Sequence, residues 1–170
     1  MDFPYLYVFA GLPGTGKTTL AQRLCVEENA TYVRVDTIEQ ALRDLCALRV
    51  AGEGYGIAYR IAADNLALGQ SVVADSRNPI ALTRLAWIDV AQRQGAKPID
   101  IEVICSDESE HRRRVETRIS TVQNLVPPTW AKVAAREYDD WESPRITVDT
   151  AGSTIEDSFA RLLAQLPDSR

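Results

Sequence analysis

At 170 residues the chain has room for one domain, and two full domains do not fit. Apolar residues make up 45% and charged residues 25%, the balance of a folded chain rather than a disordered one. Lysine plus arginine number 19 against 24 aspartates and glutamates, a net charge of −5, which argues against broad coating of nucleic acid and leaves room only for a local basic site.

Cys25, Cys46 and Cys105 are an odd number without metal-ligand spacing, so neither a disulfide framework nor a zinc site is expected, and a reducing cytoplasm is the expected compartment. The start Met1-Asp2-Phe3-Pro4 has no basic region followed by a long apolar run, so no signal peptide is expected. No apolar run reaches the roughly 18 residues of a membrane span.

Short apolar runs alternate with amphipathic stretches, the pattern of a parallel α/β sheet. Tyr5–Ala10 reads as a buried strand, followed by a helix from Lys17 to about Glu27. Thr31–Val35 reads as a second strand. Ile38, Ala41, Leu42 and Leu45 then fall on one helix face. Gly52, Gly54 and Gly56 are expected to loosen the chain before a helix from about Ile57 to Leu68, ended by Gly69.

Ser71–Ala74 reads as a third strand ending at Asp75, and Asn78-Pro79 turns the chain into a helix that stops at Gly95. Ile99–Cys105 is a fourth strand, followed by a very basic helix from Asp107 to about Ser120. Ser120–Pro128 is a loop, and residues 112–130 together make a candidate lid. Trp130–Tyr138 reads as helix and Ile146–Val148 as a short fifth strand. Ser153-Thr154-Ile155-Glu156 has the form of a capping box before a last helix carrying Phe159, Leu162 and Leu166.

Gly11-Leu12-Pro13-Gly14-Thr15-Gly16-Lys17-Thr18 matches G-x-x-x-x-G-K-S/T, with a strand leading in and a helix leading out. Glycines let backbone N–H groups approach phosphate oxygens, and the helix start adds its positive end. Lys17 supplies a point charge to the β- and γ-phosphates, and the Thr18 hydroxyl is placed to ligate Mg²⁺. Thr19 completes the cradle. A guanine-reading Asn-Lys-x-Asp motif is missing, and the length leaves no room for the helical second domain of a ring-forming ATPase. A small kinase fits.

In open α/β sheets the ligand sits at the carboxyl ends of the strands, where Asp36 and Asp75 both stand. Asp75 suits a carboxylate holding Mg²⁺ through water; it also suits a turn before Ser76. Asp36 suits a base for an attacking acceptor hydroxyl; Asp36-Thr37-Ile38-Glu39 reads equally as a helix N-cap. Arg114 and Arg118 stand i, i+4 and suit a lid that clamps phosphates, while Arg112 and Arg113 read as a solvated face. His111, the only histidine, reads as surface or cap. Trp130, Tyr138 and Trp141 read as packing. Arg43, Tyr55, Tyr59, Arg60, Asn78 and Arg84 are acceptor-pocket candidates.

The phosphate loop, Asp36, the run Gly69–Pro79 with Arg84 after it, and the Arg114/Arg118 pair resemble the polynucleotide-kinase and zeta-toxin-like P-loop kinases. The segment from Asp75 to Trp87 is similar to the pattern D-x-N-x-N-P-x-x-R, and Trp130…Arg136-Glu137-Tyr138…Trp141…Asp149-Thr150 is similar to runs in small kinases of that group. The resemblance implies a three-layer P-loop NTPase fold with a five-stranded parallel sheet of order 2-3-1-4-5, and ATP- and Mg²⁺-dependent phosphorylation of a hydroxyl. It implies Asp36 as base, Arg114 and Arg118 on the phosphates, and Val148–Gly152, with Thr150, beside the adenine.

One position departs from the group. Where polynucleotide kinases carry an arginine for the substrate's phosphate, this chain has Glu39, which would repel it, with Arg43 one turn on as a possible compensation. The expected acceptor is therefore a small molecule. A polynucleotide 5′-hydroxyl kinase and a nucleotide-binding ATPase or switch without acceptor are the alternatives.

Overall fold

The computed structural model describes residues 3–167; Met1 and Asp2, part of the start read above as carrying no signal peptide, lie outside the described residues. Five strands, β1 (Tyr5–Ala10), β2 (Thr31–Arg34), β3 (Val72–Asp75), β4 (Lys97–Ile104) and β5 (Ile146–Asp149), form one parallel sheet in the order β2-β3-β1-β4-β5, as the resemblance implied. The apolar strands are nearly unbroken because helices cover both faces. Alternation sorts their side chains. Tyr7, Phe9, Val73, Ile101 and Val103 meet α1 (Lys17–Glu27) and α7 (Ile155–Leu163) through Leu20, Leu24, Phe159 and Leu162. Leu6, Val8, Val72 and Ala74 meet α3 (Glu53–Ala67) and α4 (Ala81–Arg93) through Ala58, Ala62, Leu66 and Trp87. Helix α2 (Val35–Cys46) lies against α3, and α5 (Glu108–Thr117) and α6 (Trp130–Ala134) sit over the carboxyl end of the sheet. Among the described residues no helix is long and apolar enough to cross a membrane.

The structure corrects several boundaries. Helix α3 begins four residues earlier than the glycines suggested, because the Glu53 carboxylate accepts the Ala51 and Gly52 N–H groups at 2.6 and 3.0 Å and closes the first turn. Gly54 is helical and buried; a Cβ there would run into the Cγ of Glu39, so this glycine lets α2 and α3 approach. Helix α2 starts at Val35, with Arg34 as its cap residue, so Asp36 lies in the first turn and is not the N-cap. Its apolar stripe is only half used: Ile38 packs on the core, whereas Leu45 is 83% exposed. Helix α5 ends at Thr117, three residues early. The cap of α7 is Thr154, which accepts the Asp157 N–H at 3.1 Å, one residue later than the expected box.

Helix α6 ends at Ala134, short of Tyr138, because the chain beyond it closes over Arg84. This arginine is 4% exposed and donates to the carbonyls of Asn78, Pro79, Asp139 and Asp140 at 2.9–3.1 Å. Its guanidinium lies 3.9 Å from the Trp141 ring centre and 5.1 Å from that of Tyr138. Arg84 therefore ties the turn after β3 to the segment before β5 and is not a pocket residue; Tyr138 and Trp141 are packing, as expected.

On the same side of β4, Asp100 is 7% exposed with its Oδ1 unpartnered, and burial pushes its carboxyl up to about 6, opposed by Arg84. The folded chain thus holds this proton more tightly than the unfolded one. The resulting stability is full below about pH 4 and is lost as pH rises through about 6. Asp100→Asn is expected to gain about 2 kcal/mol over the wild type at pH 8 and little at pH 4. Urea unfolding at both values checks this; an equal effect at the two would contradict it.

Candidate functional site

The carboxyl ends of β1, β2 and β3 lie side by side, with Phe9 and Arg34 both in register with Asp75. From β1 the chain passes through the Gly11–Gly16 loop into α1, whose cap residue Gly16 has φ 95°. Three elements tie this loop down. The Gly11 N–H donates to the Arg77 carbonyl at 3.1 Å, His111 Nε2 of α5 pairs with the Pro13 carbonyl at 2.8 Å, and the Thr150 hydroxyl donates to the Thr15 carbonyl at 2.7 Å. Gly14, at φ 85°, rests on α5: a Cβ there would come within 2.6 Å of Val115 Cγ2. With its carbonyls held, the loop presents N–H groups and the open end of α1, an anion cradle.

His111 is therefore not on the surface. It is 6% exposed, edge-on to Trp130 at 5.1 Å, and braces the loop. A buried partner for a backbone carbonyl 98 residues away leaves no local pattern in sequence.

Lys17 is 7% exposed. Burial lowers its proton affinity, while the nearby carboxylates of Asp75 and Asp36 act the other way. Asp75, 3% exposed, accepts the Tyr32 hydroxyl at 2.7 Å on Oδ2 and lies 3.7 Å from Arg34 Nε. No hydrogen bond occupies its Oδ1 among the described residues. No group of three or more His, Cys, Asp or Glu is poised for a metal among them. Asp75, buried and close enough to Lys17 to raise its proton affinity, thus keeps one open carboxylate oxygen, which suits an ion that takes its other ligands from phosphates and water, the habit of Mg²⁺.

Three cavities open around the loop. One, of about 510 Å³, joins Pro13, Lys17 and Thr18 to Asp36, Glu39 and Arg43 of α2, to Arg77, to Arg118, and to Lys132 and Arg136 at α6. A second, of about 250 Å³, is lined by Gly14, Gly16, Thr19, Arg114 and Thr150, with Ser153, Thr154 and Ser158 opposite. It adjoins the Val148–Gly152 segment. A third, of about 240 Å³, brings Gly14, Gly16, Lys17, Thr18 and Thr19 under Arg114 and Arg118.

Arg114 and Arg118 converge on the loop, though not as one helix face. Arg118 has left α5 in extended conformation. Arg114 donates to Glu110 at 2.5 Å and to the side chain and carbonyl of Thr150 at 2.8 and 3.0 Å. Arg112 pairs with Glu116 at 2.9 Å in solvent, as a solvated face should. Of the acceptor-pocket candidates only Arg43 lines the large cavity. Tyr55 accepts the Asn78 N–H at 2.9 Å, Tyr59 packs edge-on to Trp87 at 4.5 Å, and Arg60 is exposed.

Glu39 does not stand as a bare repelling charge. It is 5% exposed, with Arg43 at 3.4 Å and Arg77 at 3.9 Å, and burial pushes its carboxyl up. Its charge lies in the wall of the cavity and is offset there by the two arginines. Three residues were missed: Arg34, which pairs with Asp75 and donates to Thr121 at 2.8 Å, and Lys132 and Arg136 of the large cavity. Arg34, which ends β2 two residues before Asp36, was the one legible signal.

Gly14→Ala tests the support of the loop. Both the positive φ and the Val115 contact oppose it, and Mg-ATP affinity is expected to fall about tenfold or more with about 1–3 kcal/mol of stability. Fluorescence titration and thermal unfolding measure the two; unchanged affinity would contradict the support described.

Residues 6–136 match the AAA domain family. No curated protein matches the chain in sequence. Among solved structures, a candidate kinase from Chloroflexus aurantiacus J-10-fl is 21% identical with a TM-score of 0.74, covering 98% of this chain and 100% of its own. A gluconokinase from Sinorhizobium meliloti 1021 is 15% identical with a TM-score of 0.67, covering 96% and 92%. The Mycobacterium tuberculosis APS kinase CysC, in complex with AMPPNP and APS, is 16% identical with a TM-score of 0.64, covering 96% and 98%. The likeness is to the fold of P-loop kinases broadly and does not single out the polynucleotide-kinase or zeta-toxin group. With a family match over residues 6–136 and a P-loop NTPase fold, the chain belongs to the AAA domain family.

Proposed function

We propose that the protein is an ATP-dependent phosphotransferase that moves the γ-phosphate of Mg-ATP to a hydroxyl of a small-molecule acceptor. The observation that carries this reading is one cavity holding both the phosphate-loop residues Lys17 and Thr18 and the carboxylate of Asp36. Its volume, about 510 Å³, suits a metabolite-sized ligand. The neighbours include a gluconokinase and an APS kinase, which supports the same reading.

The roles follow from position. Gly11–Thr19 cradle the triphosphate, and Lys17 faces its β- and γ-oxygens. The cavity at Arg114 and Thr150 is the candidate place of the base. Arg118, and Arg114 from the other side, offset charge on the transferring group. A magnesium ion held by Thr18 and, through water, by Asp75 would neutralise charge on the phosphate oxygens. The acceptor oxygen forms its bond to the γ-phosphorus as the bond to the β–γ bridging oxygen breaks. The acceptor proton passes to the Asp36 carboxylate, and ADP leaves with the bridging oxygen.

The roles separate in kinetics. Lys17→Ala is expected to weaken Mg-ATP binding about tenfold or more. Asp36→Asn is expected to keep that affinity within about twofold while lowering extract-stimulated ADP release roughly 10²–10⁴-fold. Nucleotide titration and ADP release with a cell-metabolite extract measure both. Full stimulated turnover in Asp36→Asn would remove Asp36 from the chemistry.

A further inference from the structure

The chain carries a net charge of −5, yet the large cavity is lined by seven cationic side chains and two carboxylates. The triphosphate accounts for part of this excess. Lys17, Arg34 and Arg118 also line the cavity directly above the phosphate loop, and Arg34 is already paired with Asp75. Arg43 pairs with Glu39. That leaves Arg77, Lys132 and Arg136, which line the same cavity as Asp36.

These three are poorly neutralised. Among the described residues neither Lys132 nor Arg136 has an ion-pair partner, and Arg77 has only Glu39 at 3.9 Å, which it shares with Arg43. Arg136 is half-buried, and its Nη1 is fully buried without a hydrogen-bond partner. Burial lowers its proton affinity first, and the like charges of Arg77 and Arg118 lower it further, with Asp36 and Glu39 acting the other way. An unpartnered buried guanidinium N–H beside like charges is costly unless an anion occupies the space it faces. A buried cation also forms the strongest kind of anion contact when that anion arrives.

Resting on the phosphotransferase reading, we infer that the acceptor is itself anionic: a small hydroxy compound whose phosphate or carboxylate group sits on Arg77, Lys132 and Arg136 while its hydroxyl meets Asp36. The cations fix one end of the molecule, and the carboxylate stands where the reacting hydroxyl must lose its proton. The same cations raise the local concentration of anionic ligands in a chain that is otherwise acidic.

The first experiment does not need turnover. The whole chain is loaded with Mg²⁺ and a non-hydrolysable ATP analogue, so that the phosphate loop is filled, and titrated with inorganic phosphate or D-glycerate by calorimetry. Saturable binding is expected, weakened about tenfold or more by Arg136→Gln and by Arg77→Gln, the size of a lost charge-assisted contact. Absent binding, or binding that both variants leave unchanged, would overturn the anion site.

The second experiment measures ADP formation with matched acceptors: a polyol, its aldonate, its phosphate monoester, and oligonucleotides with and without a 3′-phosphate. The small charged compounds are expected to give the higher kcat/KM, with Arg136→Gln raising KM for them alone. Aldonate against phosphate ester tells which anion is read. Preference for the neutral polyol would overturn the inference and leave the kinase reading standing. Transfer only to oligonucleotides, with steep salt dependence, would overturn the small-molecule class. Arginine-dependent anion binding with no transfer to any compound would support the anion site and count against the kinase reading.

Discussion

A phosphate-binding loop must leave its N–H groups free in a protein interior that otherwise pairs every backbone group. This chain meets that demand by tying down the loop from outside. The Pro13 and Thr15 carbonyls are taken by His111 and Thr150, and the Gly11 N–H by the Arg77 carbonyl. Each anchor belongs to a different segment. Helix α5 must lie where His111 and Val115 reach the loop, β5 must end where Thr150 does, and β3 must turn sharply enough to bring Arg77 back to Gly11. The sheet order places β3 and β4 on either side of β1, and α5 and Thr150 follow from β4 and β5. The topology is thus the means of holding one strained loop.

Electrostatics follows from the same arrangement. Lys17 is buried at the loop's end, and carboxylates keep it company: Asp75 from β3 and Asp36 from the first turn of α2. Asp75 is in turn fixed by Tyr32 and Arg34. Glu39 is packed against Gly54 and offset by two arginines, so its charge lines the wall without dominating the cavity. An acidic chain thereby keeps a cationic hollow at the carboxyl end of its sheet. Charge of that sign suits the triphosphate, and the cations that the triphosphate and the ion pairs leave over favour an anionic acceptor.

Periodicity and glycine placement made the sheet and the phosphate loop readable from sequence. Tyr5–Ala10 and Lys17–Glu27 match to the residue, because a fully buried strand and a loop with fixed glycines leave little freedom. The glycines at 54 and 56 misled, since a glycine needed for helix–helix approach looks the same as one that breaks a helix. Arg84 and His111 misled for another reason. Their partners are backbone carbonyls brought close only by the tertiary fold, and these leave no sequence spacing. The cations of the large cavity were partly visible, as Arg43 was, but Lys132 and Arg136 come from a segment whose path is set by the closure over Arg84. Net charge left room for a local basic site without locating it, because it averages over a surface whose signs are segregated.

The most direct test of the central claim is to follow the γ-phosphate itself. Labelled Mg-ATP is incubated with the whole chain and a fractionated pool of cell metabolites, and the label is located by ion-exchange chromatography. The account predicts label in a small organic phosphate that was already anionic before the reaction, lost in both Lys17→Ala and Asp36→Asn. Label released only as inorganic phosphate, and equally by Asp36→Asn, would contradict it.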